Sequence, residues 1–270
     1  MKWRIPFLGR RARVSVVRLS VPIGATGRLS GAGLTDAGVA PLLAAAFARK
    51  PVAVAIVINS PGGSPVQSSL IAARIRRLAD KHDVPVHVFV EDMAASGGYW
   101  LACAGDRIWA DATSVIGSIG VISAGFGLSD LIARHGIERR VHTAGGSKSF
   151  LDPFRPEKPE DVARLKALLE PMHAAFKDWV RSRRGDRLDA ARDLFTGDVW
   201  VGTQAAELGL IDGIAHLEPK MRALFGDDIR FVTHAARRPW FRRLGVDLAD
   251  GVLDRAETAL RDPGTFSGWR

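Results

Sequence analysis

Short runs of β-branched and apolar residues alternate with helix-length segments along most of the chain. Val14–Leu19, Val52–Ile58 and Val86–Val90 predict strands. The second is apolar throughout, the pattern of a strand covered on both faces. Between the second and third, Pro65–Lys81 sets Leu70, Ile71, Ile75 and Leu78 on one helical face, and Asp83 and Pro85 supply the stop. Further strands are predicted at Arg107–Ala110, Gly120–Ile122 and Arg139–His142. This alternation predicts an α/β fold with right-handed crossovers.

Glu160–Arg183 follows another rhythm. Val162, Leu165, Leu169, Met172, Phe176 and Trp179 recur at helical spacing, and Pro171 is expected to kink or break that helix by removing one backbone donor. Such a stripe packs onto a sheet or meets another subunit; spacing alone favours the first. Ala112–Ser129 is an uncharged stretch of 18 residues. Four glycines, four serines and a threonine make it a poor membrane span, so it is read as buried interior.

Composition narrows the class. The single cysteine, Cys103, excludes an intrachain disulfide and fits a reducing compartment. On the helix expected after residue 96, Cys103 reads as a small buried apolar residue. The net charge of +9 is concentrated near the two ends. Lys2, Arg4, Arg10, Arg11 and Arg13 lie in residues 1–13, and Arg230, Arg237, Arg238, Arg242 and Arg243 in residues 230–243, without an acid in either stretch. Removing those ten from 38 basic residues leaves 28 against 29 acidic ones, so the body is neutral and a nucleic-acid interface is not expected. Trp3, Ile5, Phe7 and Leu8 accompany the first cluster, and Phe231, Trp240 and Phe241 the second. Cations with interfacial aromatics suit peripheral contact with an anionic membrane. The basic start is not followed by an apolar run long enough for a signal peptide. The expected location is cytoplasmic, with peripheral contact at the inner face of the membrane.

Two glycine-rich turns follow two predicted strands: Asn59-Ser60-Pro61-Gly62-Gly63 and Ala94-Ala95-Ser96-Gly97-Gly98-Tyr99-Trp100. A serine followed by two glycines where a strand enters a helix lets a substrate carbonyl reach the hydroxyl. The helix start offers free N–H groups and a positive dipole end. The Pro-Gly-Gly turn can bring further N–H donors, because glycine permits close approach and unusual φ. Together they would make an oxyanion hole, worth roughly 10²–10³ in rate per donor.

Such a serine needs a base. None of His82, His87, His135, His142, His173, His216 and His234 stands out as a triad member, although His142 lies six residues before Lys148. Lys148 is the stronger candidate, in the small-residue turn Gly145-Gly146-Ser147-Lys148-Ser149-Phe150. A lysine acts as base only when neutral, which calls for burial that lowers its pKa from about 10.4. The same turn is not a phosphate-binding loop, because Ser147 and His142 occupy the two positions where that motif needs glycine.

The combined pattern resembles the S49 peptidase family, the signal-peptide-peptidase A and SohB group. The matching segments are Ser-Pro-Gly-Gly at 60–63, Ala-Ala-Ser-Gly-Gly-Tyr at 94–99, Gly-Ser-Ile-Gly-Val at 117–121, and Ser-Lys-Ser followed by Pro-Phe-Arg-Pro, at 147–156. Phe195-Thr196-Gly197 and Ala205-Ala206-Glu207-Leu208-Gly209-Leu210-Ile211-Asp212 extend the likeness. The resemblance implies a crotonase/Clp-protease-like fold of repeated β-β-α units with helices packed outside, in its single-copy short form. It implies three regions: a basic N-terminal segment (1–13), a peptidase domain (14–226) and a basic C-terminal extension (227–270). It places the nucleophile at Ser96, the base at Lys148, oxyanion N–H groups at Gly97 with Gly62 or Gly63, and a lysine-orienting hydroxyl at Ser118. No metal or other cofactor is implied. The expected substrates are membrane-derived or unfolded peptides with small apolar side chains at the cleaved bond. The expected assembly is a homo-oligomer, with dyads that can cross subunit boundaries. The family's common membrane anchor is missing from this pattern.

Two other classes compete. An acyl-CoA enzyme of the crotonase fold would share the paired turns but has no need of Ser96 or Lys148. A non-catalytic membrane scaffold with a peptidase-like fold would not need the Ser and Lys motifs kept together.

Overall fold

Valine and isoleucine dominate three parallel strands, β1 (Arg13–Leu19), β2 (Ala53–Ser60) and β3 (Val86–Ala95), and their alternate side chains feed two different cores. The computed structural model describes residues 11–24 and 33–235. On one face Val17, Leu19, Ile56, Ile58, Val88 and Val90 pack under α1 (Asp36–Phe47) and α2 (Pro65–His82). On the other, Val14, Val16, Ala53, Ala55, Val57 and Phe89 form a smaller cluster. Both helices are capped by their own sequence. Thr35 Oγ1 accepts the Gly38 N–H at 3.2 Å, and Ser64 Oγ accepts the Gln67 N–H at 3.4 Å, satisfying donors that helix starts leave free.

The chain continues through α3 (Gly97–Ala102), β4 (Arg107–Ala110), β5 (Val115–Gly117), α4 (Ser129–Arg134), α5 (Pro159–Arg184), β6 (Val199–Val201), α6 (Gly202–Glu207), β7 (Gly213–Ile214), α7 (Leu217–Phe225) and β8 (Arg230–His234). Among the described residues, eight strands form one sheet in the order β6-β5-β3-β2-β1-β8, with β4 pairing both β3 and β7. All pairings are parallel except β5 with β6. The mixed α/β architecture is the one expected. β3 is long enough to serve two partners on one edge: His87–Val90 pair with β4, and Met93–Ala95 with β5.

Several local expectations change. Residues 120–122 and 139–142 are not strands; the strand near the first is β5, which ends at Gly117. Arg139 and Arg140 instead pair with Asp152 and Glu138 in an exposed segment. Pro171 does not end α5, which runs 26 residues through it. Proline removes one bond there, and the following turns are held by buried Phe176 and Val180. The stripe on α5 is divided accordingly: Phe176 is buried and Trp179 partly so, whereas Met172 is exposed. Ala112–Ser129 is interior only in part, since Ser114, Ile116 and Ile119 are buried while Ile122 and Phe126 are 85% and 84% exposed.

The sheet also reaches past residue 226. β8 pairs with β1 from Arg13↔Arg230 to Val17↔His234, so the first residues of the stretch assigned to a C-terminal extension complete the sheet. Phe231 packs against the smaller core and lies under the Arg222 guanidinium at 5.4 Å. Apart from Arg11, Arg13 and Arg230, the cations of the two basic ends lie outside the described residues. Among the described residues no helix is long and apolar enough to cross a membrane.

Candidate active site

Three chain reversals meet at the carboxyl end of β3. β2 reaches it through Ser60↔Ala94, and β5 through Gly117↔Ala95. The turn at 60–64, the entry to α3 at Ser96 and the turn at 117–120 are therefore neighbours by register. Their glycines permit the contact. A Cβ on Gly62 would stand 2.7 Å from the Gly97 nitrogen and 2.9 Å from Ser96 Cβ; one on Gly98 would stand 2.5 Å from the Ser60 carbonyl oxygen.

Ser96 itself has φ 51° and ψ −120°, a region that residues with a Cβ seldom occupy. Its N–H donates to the Gly117 carbonyl at 2.8 Å and its carbonyl accepts from Trp100 N–H at 3.0 Å, so the strained residue is fixed from both sides. The half-buried hydroxyl has no hydrogen-bond partner among the described residues. Gly97 is the first residue of α3, where a helical N–H has no partner within the helix.

The Pro-Gly-Gly turn resolves into two unlike glycines. The Gly62 N–H donates to Ser60 Oγ at 3.2 Å, and its carbonyl accepts from Ile23 N–H at 2.8 Å. Gly63 sits inside a parallel bridge to Ile23 that uses the groups on either side of it, Gly62 O and Ser64 N. The Gly63 N–H has no partner among the described residues. Ser118 has φ 52°, follows Gly117 at φ 116°, and donates its N–H to Asp198 O at 2.7 Å.

Lys148 is placed differently. It is exposed, in the turn-rich stretch 144–151, and its ammonium has no hydrogen-bond or ion-pair partner among the described residues. The burial that a lysine base calls for is absent in the single chain. The structure thus groups Ser96, Gly62, Gly63, Gly97 and Ser118, and shows no bond from Lys148 to them. None of the histidines bonds to Ser96 among the described residues; His173 Nε2 instead meets the Ile119 carbonyl at 3.2 Å. Cys103 is buried, and burial pushes its thiol up to about 12. A cavity of about 670 Å³ opens on the other face of the sheet, floored by Val16, Val57 and Phe89, and contains none of these site residues.

The model of peptidase family S49 matches residues 79–224, which include Ser96, Ser118 and Lys148. The chain belongs to peptidase family S49. Within that setting it is 30% identical to the chloroplastic serine protease SPPA of Arabidopsis thaliana, over 80% of this chain and 32% of that one. It is 48% identical to a Brucella abortus protein named Na(+)/H(+) antiporter NhaA, over 94% of this chain and 35% of that one. The chain spans about a third of the length of these two relatives. Ile23, Asp198 and His173 are contacts of the site that the sequence reading missed: Ile23 and His173 come from distant segments with no motif of their own, and Asp198, next to the Phe195-Thr196-Gly197 motif, contributes only its backbone carbonyl.

Proposed function

We propose that the chain is a serine endopeptidase in which Ser96 attacks the peptide carbonyl and Lys148 accepts the serine proton. The observation that supports this most is Ser96 itself: a hydroxyl unengaged among the described residues, at a positive-φ strand-to-helix turn, beside N–H groups of Gly97 and Gly63 that have no partner among those residues. Attack of Oγ on the carbonyl forms a tetrahedral oxyanion, and two preorganised N–H groups suit that charge. Because the Gly62 N–H is taken by Ser60, Gly63 is the better second donor. The proton then passes from Lys148 to the leaving amine, and water hydrolyses the acyl-serine. Ser118 is the hydroxyl that orients the lysine. No metal or other cofactor enters.

The exposure of Lys148 fits a homo-oligomer in which a neighbouring chain completes each dyad. The surrounding segment also exposes Ile122, Phe126, Leu131 and Ile137, more apolar surface than scattered residues account for. Substrates are membrane-derived or unfolded peptides with small apolar residues at the cleaved bond, because the glycine-lined turns leave little room there. The basic ends would keep the enzyme on an anionic membrane at its cytoplasmic face.

Ser96→Ala and Lys148→Ala are each expected to abolish hydrolysis of an unfolded polypeptide, with far-UV circular dichroism unchanged. A serine-directed phosphonate should label Ser96 in the wild type. Hydrolysis should rise from neutral to alkaline pH, because only the uncharged amine accepts a proton. Near-normal turnover in Lys148→Ala would remove the dyad, and an unlabelled, inactive wild type would favour a non-catalytic scaffold.

A further inference from the structure

The turn at 117–120 carries more strain than its length explains. Gly117 and Ser118 are consecutive residues at positive φ, 116° and 52°. The Gly120 N–H then closes a three-residue turn onto the Ser118 carbonyl at 2.9 Å. A serine at positive φ costs energy, and such backbone persists only where its surroundings over-determine it. The turn in turn restrains Ser96, because the Gly117 carbonyl holds the Ser96 N–H at 2.8 Å. Two strained segments therefore lean on one another.

Besides the Trp100 N–H on the Ser96 carbonyl, three polar contacts hold this pair in place. Two are backbone bonds within the sheet end: Ser96 N–H to Gly117 O, and Ser118 N–H to Asp198 O at 2.7 Å. The third is a side chain: His173, on α5, reaches the Ile119 carbonyl with Nε2 at 3.2 Å. A carbonyl only accepts, so Nε2 carries the hydrogen in this contact. The Ile119 side chain is fully buried, and the ring fixes the peptide that follows it. The same face of α5 grips the nucleophile's helix. Phe176 stacks on Trp100 with centroids 4.8 Å apart, and Trp179 Nε1 donates to the Trp100 carbonyl at 2.9 Å. Arg183 Nε donates to the Cys103 carbonyl at 2.9 Å. Helix α3 has only six residues, so these side chains satisfy carbonyls that its short ladder leaves free.

We propose that His173 is a positioning residue for the Ser96 site, clamping the strained Gly117–Gly120 turn from α5 so that Ser96 and Ser118 keep their geometry. It touches no reacting atom. The catalytic consequence rests on the peptidase reading of Ser96, whereas the structural one does not: with the clamp removed, the turn relaxes whatever Ser96 does.

The test compares the full chain with His173→Ala and His173→Gln, whose amide can offer a donor near the Nε2 position. Three readouts are taken: kcat and KM on a peptide the wild type cleaves, the rate of Ser96 labelling by a serine-directed phosphonate, and amide hydrogen exchange at residues 117–120. His173→Ala is expected to lower kcat about tenfold to a hundredfold with KM within about twofold, since small misplacements of a nucleophile have effects of this size. Labelling should slow in parallel. Exchange at residues 117–120 should quicken while β2 and β3 stay protected. His173→Gln should recover most of kcat and of the protection. Wild-type kcat and exchange in His173→Ala overturn the proposal, as does a glutamine variant no better than alanine, or exchange that rises equally throughout the sheet. A wild type that neither cleaves nor labels sinks the peptidase reading alone; the exchange comparison then still decides the clamp.

Discussion

Ser96 illustrates a conflict between what a residue prefers and what the proposed reaction needs. Positive φ in a residue with a Cβ costs on the order of 1–3 kcal/mol, and the bonds to Gly117 and from Trp100 hold it there. Ser96→Ala removes the hydroxyl but keeps the strain, whereas Ser96→Gly removes both. The glycine variant is expected to be inactive yet more stable than the alanine variant by about 1 kcal/mol, read as a higher denaturation midpoint. Equal midpoints would mean the turn is not strained. Gly98 makes the opposite demand. A methyl there meets the Ser60 backbone carbonyl at 2.5 Å, so Gly98→Ala should cost about 1–3 kcal/mol and lower the same midpoint. Cys103 gives a third check at this scale. With its thiol raised by burial to about 12, on the order of one in ten thousand is ionised at pH 8. It should resist alkylation in the native protein and react fully in denaturant.

The long helix α5 is anchored at its end by a buried charge pair. Asp212 is 5% exposed and takes Arg184 at 2.8 Å and both Arg107 and Arg187 at 3.2 Å. Burial by itself pushes the Asp212 pKa up, but the Arg184 bond, the Ile108 N–H and the neighbouring positive charges outweigh it and leave the group below its ordinary value. A carboxylate with a lowered folded pKa stabilises the protein above the unfolded value, about 3.9, and loses that contribution as pH falls through the folded one. Asp212→Asn should therefore cost about 3–5 kcal/mol at pH 7, because Arg184 is left buried and uncompensated. The gap to wild type should narrow as pH drops below about 4, and a gap independent of pH would count against this account. Elements of this kind differ in how plainly the sequence announces them. β1, β2, β3 and α2 were legible because long apolar runs and a clear stop leave few alternatives. β5 was not, since three residues ending in a positive-φ glycine carry no periodicity. β8 looked like part of a basic tail, because Arg230 and His234 bracket a short strand that only β1 makes sense of. The glycine turns of the site were readable locally. The proposed choice of Gly63 over Gly62 depends on Ser60 Oγ, and the proposed role of His173 on a contact 54 residues away.

At the scale of the whole molecule, the site and the surface around Lys148 demand one explanation. Ile122 and Phe126 leave the Ser118 turn and project into solvent at 85% and 84% exposure, and α4 buries no residue. The first half of α5 adds exposed Leu168 and Met172. Full burial of each such side chain contributes roughly 1.5–3 kcal/mol, so a partner covering several of them offsets the entropy of association. Assembly would also remove water from Lys148, the change that a neutral amine requires and that the isolated chain does not provide. Ile122→Asp combined with Phe126→Asp is expected to give a smaller species by light scattering, with unchanged far-UV circular dichroism and hydrolysis lowered at least a hundredfold. Mixing inactive Ser96→Ala and Lys148→Ala chains under conditions that exchange subunits should restore part of the activity, because one chain then lends its lysine to the other's serine. The aspartate pair placed in the Lys148→Ala chain should weaken that rescue. A fully active monomer would show that Lys148 reaches Ser96 within one chain by a movement of 121–158. Active oligomers with no rescue, once exchange is verified, would confine the dyad to a single subunit while leaving the interface itself in place.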